Sequence, residues 1–315
     1  MSKRNAWRTT GLRAVTAAGL ALATAITAAG AAHSASAPIT GPDSGDWGTV
    51  VETPDGIQSN AWVARVQGIG KVVDARLFES AYPATPTAPA DQAGGNGLIN
   101  LTVGGVGLGK ASALFSRSLG NALPATISGK ETVPAPGVAY ADAGGASVDV
   151  GIPYVDSPTG GTQLSAIGVH VDAIRIHAMS RPGKALELDG GAARGYISVL
   201  GNRIIDIPSL WPVNFGARIP ADYSQSPFAL ASTNEQVTTD NKGVPTLGKD
   251  GHYQYDPKAT SGYVTAIHAS VLGPEVADVT VGHAAVIRDP AKTDMLAPKV
   301  PKLPTWLDSI FEPRP

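Results

Sequence analysis

Glycine and proline punctuate this chain throughout: 37 glycines and 25 prolines make up about a fifth of its 315 residues. A helix interior loses about 1 kcal/mol per glycine and about 3 per proline, so helix bundles and coiled coils are disfavoured. Short apolar runs lie between these breakers. Asn60–Gly68 and Lys71–Leu77 alternate as strands do. Further candidates are 97–106, 110–115, 137–143, 146–151, 163–179, 194–200, 203–207, 215–219, 228–239, 261–272 and 278–288. About a dozen strands at roughly 8–12-residue spacing predict an all-β, antiparallel β-sandwich, with a barrel-like closure as the alternative. Only Ala111–Leu123 offers a serious helical competitor. Gly201-Asn202 suits a two-residue hairpin turn.

The first 37 residues read as an address. Lys3, Arg4, Arg8 and Arg13 precede the uncharged run Ala14–Ala32, and small residues follow in Ala35-Ser36-Ala37. A basic, an apolar and a small-residue region in that order predict a secretory signal peptide. The expected organisation is signal segment 1–37, exposed lead-in 38–59, one β-rich domain 60–288 and a Pro-rich tail 289–315. No later segment has the length and apolarity of a membrane span. An extracellular or loosely surface-associated protein is expected.

Composition removes several function classes. A net charge of −2 with 16% charged residues gives no basic footprint for nucleic acid. The absence of cysteine excludes disulfides, thiolate metal sites and cysteine nucleophiles.

Motif searches give little chemistry. Gly104–Ala111 nearly matches a phosphate loop but has Ala111 where a hydroxyl should meet magnesium, so a strand turn is expected. Gly145-Ala146-Ser147-Val148-Asp149 lacks the closing glycine of a nucleophile elbow. His170 and His177 lie seven apart on one strand, which places them on opposite faces. A hydrolase using His170, His252, His268 or His283 would need a site assembled from distant loops. Asp240, Asn241, Asp250 and Asp256 share a Gly-rich loop where calcium is possible, although the spacing fits no EF-hand. Tyr253, Tyr255 and Tyr263 around that loop are candidates for stacking on a ligand, with Tyr253 and Tyr255 foremost.

Three blocks in the second half carry a resemblance. They are Gly195–Pro208 (GYISVLGNRIIDIP), Asn234-Glu235-Gln236, and the pair Val264–Gly273 with Asp278–Val286. Together they resemble the secreted actinobacterial proteins called choice-of-anchor P, over roughly Gln163–Arg288. The resemblance implies a β-rich exterior protein and supplies no catalytic residues. Leu303-Pro304-Thr305-Trp306-Leu307 departs from a sortase signal, so release or non-covalent retention is expected. The leading function is a non-enzymatic envelope or matrix protein that binds a polymer or protein; the alternatives are the hydrolase and a calcium-stabilised module.

Two geometric expectations follow. Trp306, Leu307, Ile310 and Phe311 gather four large apolar groups in six residues, which predicts docking on the sandwich or on a partner. Ser261–Leu272 and Asp278–Arg288 predict a hairpin. If Gly273 closes the turn against Asp278, His268 falls directly opposite His283, as two potential metal ligands that need a third.

Overall fold

The computed structural model describes residues 50–68, 73–94, 97–103, 106–129, 131–152, 165, 167–207, 212–219, 229–249, 253–271 and 277–294. Residues 1–37, expected to be a signal segment, together with His252, Asp250 and the tail residues Trp306, Leu307, Ile310 and Phe311, lie outside them.

Where glycine-bounded apolar runs alternate, antiparallel strands form. In chain order they are β1 (Ile57–Gly68), β2 (Val73–Leu77), β3 (Ser80–Tyr82), β4 (Asp91–Ala93), β5 (Ile99–Val103), β6 (Val106–Leu123), β7 (Val133–Ile152), β8 (Ile167–Ser180), β9 (Glu187–Ala192), β10 (Gly195–Val199), β11 (Asn202–Asp206), β12 (Phe215–Ile219), β13 (Ala229–Thr239), β14 (Ser261–Val271) and β15 (Ala277–Arg288). Two one-turn helices accompany them, α1 (Ala125–Ser128) and α2 (Pro290–Thr293). Neither is long enough to cross a membrane.

The strands build two sheets that do not close into a barrel. One has seven strands in the order β12-β13-β14-β15-β1-β2, with β3 beside β1. The other has eight, β11-β10-β8-β7-β6-β4, with β5 on β6 and β9 on β8. The sheets face each other through β1, β14 and β15 on one side and β6, β7 and β8 on the other. Val66, Ile267, Val279 and Val281 meet Leu114, Val150, Val169 and Ile176 in that core, each buried.

Several boundaries differ from the sequence reading. The strand read at 110–115 runs on to Leu123, and the helical competitor over Ala111–Leu123 does not form, because this stretch is one half of the long β6–β7 ladder. The runs 137–143 and 146–151 are one strand, β7, since Gly144 and Gly145 continue the ladder to β8. The lead-in is not exposed up to residue 59: β1 begins at Ile57, and Ile57, Gln58 and Ser59 are buried. Of the near-phosphate loop, Gly104 and Gly105 lie outside the described residues and Val106–Ala111 lies inside β6.

A row of irregular residues organises both sheets. Asn234 and Gly282 have φ of 51° and 65°. Pairing is in register on both sides of them, with Thr233↔Ile267 and Glu235↔Thr265, then Ile267↔Val281 and Thr265↔His283. The same row reaches β1, between Trp62↔His283 and Ala64↔Val281. The inward side chains of β15 are Val279 and Val281 before Gly282, but Ala284 and Val286 after it. In β14 they change from Val264 and Ala266 to Ile267 and Ala269, and in β1 from Ala61 and Val63 to Ala64 and Val66. One extra residue at one row in each of β1, β13, β14 and β15 reverses the pleat without slipping the ladder. The eight-stranded sheet does likewise near Ala113 and Ser147, at φ 50° and 53°. There the inward set of β8 changes from Val169 and Val171 to Ile174 and Ile176.

Candidate functional site

The pleat reversal decides which polar side chains share a face. On the outer side of the seven-stranded sheet it gathers Glu235, Thr265, His283 and Trp62 from one side of the row. From the other side it adds Ser232, His268, Thr280 and Arg65. Regular alternation would have sent one of these two sets into the sandwich core.

His268 stands at the centre of this group. Its Nδ1 lies 3.3 Å from Glu235 Oε2 and its Nε2 3.1 Å from Asp278 Oδ2. All three side chains are almost wholly buried. A ring that donates to two ionised carboxylates must carry both N–H groups, so this geometry suits an imidazolium.

His283 is held quite differently. Its ring stacks on Trp62 at 3.8 Å with a 9° interplanar angle, and Tyr263 lies on its other side at 5.3 Å. The Arg76 guanidinium covers the far face of the stack, 4.6 Å from the Trp62 ring centre. Four strands therefore contribute one column: Arg76, Trp62, His283, Tyr263. Thr265 Oγ1 bonds His283 Nδ1 at 2.9 Å, and Trp62 Nε1 donates to Thr280 Oγ1 at 3.2 Å. Burial holds the His283 pKa well below the ordinary histidine value, and the Arg76, Arg65 and His268 charges push the same way. The ring is neutral, and its buried Nε2 has no hydrogen-bond partner among the described residues.

The expected direct pairing of His268 with His283 does not occur. His268 faces Thr280 and His283 faces Thr265. The turn is longer than assumed: the ladder ends at Val271↔Ala277, three positions from the register expected. Both rings still share the outer face, because the pleat reversal compensates an odd shift. A common ion loses its geometric basis, since both His268 nitrogens already face carboxylates. Among the described residues no group of three or more His, Asp or Glu side chains converges on an ion position.

The loop tyrosines divide. Tyr253 is buried against Val237, Tyr263, Ala285 and Ile287. Its hydroxyl accepts from the Thr238 amide at 2.8 Å, so it offers no free stacking face. Tyr255 is 57% exposed. The loop carboxylates close turns: Asp240 Oδ1 accepts from the Lys242 and Val244 amides, and Asp256 Oδ1 from the Lys258 amide.

The outer face of the eight-stranded sheet is open and charged. One row runs Lys110, Asp149, His170, Tyr196, Asp206 across five strands. A second runs Asp91, Arg117, Asp142, His177, Asp189. His170 and His177 thus lie on the same face, not on opposite ones, because β8 reverses its pleat between them. His170 Nε2 is 3.2 Å from Asp172 and its Nδ1 3.8 Å from Asp149. The Asp149 hydrogen bond raises the His170 pKa, burial opposes it, and Asp172 adds to the rise. Tyr196 is sandwiched between the His170 ring at 5.1 Å and the Arg203 guanidinium at 4.1 Å. Asp142 is buried and its pKa is raised by desolvation, against the pull of Arg117, Tyr140 and Arg175.

Comparison with known proteins finds no matching family, no matching characterised protein and no matching solved structure. The resemblance over Gln163–Arg288 rests on its sequence blocks alone. Sequence reasoning missed Trp62, Glu235, Asp278 and the two charged rows as a site. Their signal was faint: outward residues of central strands that are polar or aromatic rather than small.

Proposed function

We propose that this is a secreted, non-enzymatic protein of the cell envelope or extracellular matrix that binds a charged polymer or protein on the outer face of its eight-stranded sheet. The observation that carries this reading is the pair of charged rows on that face. Each presents cations and carboxylates at the roughly 4.8 Å strand spacing, on a scaffold rigid enough to fix their positions. Arg203 and Arg117 are its donors to anionic groups; Asp189 and Asp206 are its acceptors. Patterned charge of this kind confers specificity and association rate more than raw affinity. The leader and the family resemblance support the location.

Among the described residues, the geometry of His170, His268 and His283 weighs against the hydrolase reading. His170 and His268 present their nitrogens to carboxylates, and the His283 contact at Nδ1 is a threonine inside a closed stack.

The test is cosedimentation of the full chain with envelope fragments of the producing cell, at low and high salt. Binding is expected to fall with salt and to be lost in an Arg117→Ala/Arg203→Ala variant. Binding unchanged in that variant would remove this face from consideration. Turnover in a mixed-substrate hydrolase screen, abolished by a single His→Ala change, would replace the reading with the enzymatic one.

A further inference from the structure

The pleat reversal of the eight-stranded sheet shapes its outer face between the two charged rows. At the reversing row, consecutive residues of one strand both turn away from the core. Ser112 and Ala113 do so on β6, between buried Ala111 and Leu114, and Asp172 and Ala173 on β8, between buried Val171 and Ile174. Ala146 and Ser147 lie between these pairs on β7, with Ala146 beside both Ser112 and Ala173. Ala193 and Arg194 continue the row beyond β8. The Ala193 amide donates to the Ala173 carbonyl at 2.9 Å, and the Asp172 amide to the Arg194 carbonyl at 2.8 Å.

Except for Asp172 and Arg194 these side chains are small, so the row is a trench between taller neighbours. His170 and Tyr196 stand on one side of it, and Phe115 and Arg175 on the other. The trench crosses three strand spacings, about 14 Å. Beside it, Gly191 pairs with Arg175, and no heavy atom lies within 4 Å of where a Cβ would stand on this glycine.

Two exposed arginines border the trench, Arg175 and Arg194, and neither has an ion pair among the described residues. The other arginine side chains described, Arg65, Arg76, Arg117, Arg181, Arg203 and Arg288, each face a carboxylate. The carboxylates near the unpaired two are engaged elsewhere. Asp172 Oδ1 is 3.2 Å from His170 Nε2, and Asp189 Oδ2 is 3.8 Å from His177 Nδ1. Asp142 is buried, and burial raises its pKa against the pull of Arg117, Tyr140 and Arg175, which favours the uncharged acid. Two guanidinium forks are thus left without an acceptor beside a channel of small residues.

We propose that this trench holds an extended polyanion, whose successive oxyanions, carboxylate or phosphate, are gripped by Arg175 and Arg194. The proposal rests on the reading of this face as a polymer-binding surface, and it names the ligand chemistry and the contact. A guanidinium fork matches an oxyanion bidentately, and an arginine without an internal partner gives up no ion pair to bind one. The small residues let an extended chain lie close to the sheet, within reach of both arginines. Arg117 and Arg203, which face Asp91 and Asp206, hold the flanks of the wider surface.

Biolayer interferometry of the full chain on immobilised polygalacturonate and on immobilised polyphosphate tests this. Binding to at least one polymer is expected, and the two surfaces tell carboxylate from phosphate; binding to neither would overturn the proposal. Arg175→Ala and Arg194→Ala are each expected to weaken binding about 10-fold. Ala173→Trp fills the trench and should weaken binding without lowering the melting temperature. As a control, Lys242→Ala/Lys258→Ala removes two exposed charges elsewhere and should leave the affinity unchanged. An equal loss in that control would mean attraction to overall charge. Parental affinity in the arginine variants or in Ala173→Trp would mean a different site, and each of these outcomes overturns the proposal. Envelope cosedimentation lost in Arg117→Ala/Arg203→Ala but intact in Arg175→Ala/Arg194→Ala would sink the trench and leave the wider surface standing.

Discussion

At the scale of single residues, the two central histidines of the seven-stranded sheet are in opposite electrostatic situations. His268 bridges two buried carboxylates, Glu235 and Asp278. His268→Leu would strand Glu235 and Asp278 without it, and breaking a buried ion pair by removing one partner costs about 3–5 kcal/mol. Urea denaturation should show a loss of unfolding free energy of that size. A variant as stable as the parent would mean that the bridge contributes nothing to stability. His283 is the reverse case, a ring kept neutral by burial. Its folded pKa lies below the unfolded value of about 6.5, so the stability linked to it is present above that pH. It is lost as pH falls below 6.5, because only the unfolded chain takes up the proton. His283→Phe keeps a ring on Trp62 and removes the titration. The drop in unfolding free energy from pH 7.5 to 5 should therefore be smaller in this variant, as measured by urea titrations at the two values. An equal drop in both proteins would place the acid sensitivity elsewhere.

Among the elements, β15 carries most of the organisation. It pairs with β14 and β1 and is buried over all twelve residues. Its pleat reversal depends on Gly282, at φ 65°. A Cβ there would stand 2.7 Å from Ile174 Cδ1, a side-chain tip that can yield, but the left-handed backbone cannot be relieved so cheaply. Gly282→Ala is expected to cost about 1–2 kcal/mol, and Gly282→Val more, since a β-branched residue is an outlier in that region. Thermal melts of the two variants check the order. A Gly282→Val protein as stable as Gly282→Ala would show that the strand can re-pleat. Much of this element was legible beforehand: the hairpin of β14 and β15 follows from two adjacent β-rich runs. Its register was not, because the turn length was assumed from Gly273 and Asp278, while the ladder closes at Val271 and Ala277.

For the whole molecule, burial is layered. The core between the sheets holds β1, β7, β8, β14 and β15, while β4, β9 and β11 lie at the edges. Amide exchange should follow this order: β15 and β14 exchange only through global opening, and β11 and β4 through local fraying. Hydrogen-exchange mass spectrometry on peptides covering 277–288 and 202–206 checks it. Comparable protection in both would contradict the layering. The two sheets also answer pH in opposite senses. The raised His170 pKa adds stability below about 6.5 that is lost as pH rises through its folded value, while the lowered His283 pKa acts the other way. Because His170 is partly solvated, its share is the smaller.

The sequence by itself determined the class of fold, through glycine and proline spacing that permits short strands and few helices. It also determined where most strands lie, because alternation and β-branched content are local properties. The face each side chain occupies was decided only by the tertiary structure. A single left-handed residue, such as Asn234, Ser147 or Gly282, inverts every position beyond it, and its conformation is fixed by the neighbouring strands that bulge at the same row. That is why His170 and His177 share a face against the count of residues between them. It is also why His268 and His283 share one despite a register three positions away from the simplest turn. Sites on this protein are built from cross-strand neighbours, and such neighbours are set by pairing geometry rather than by proximity along the chain.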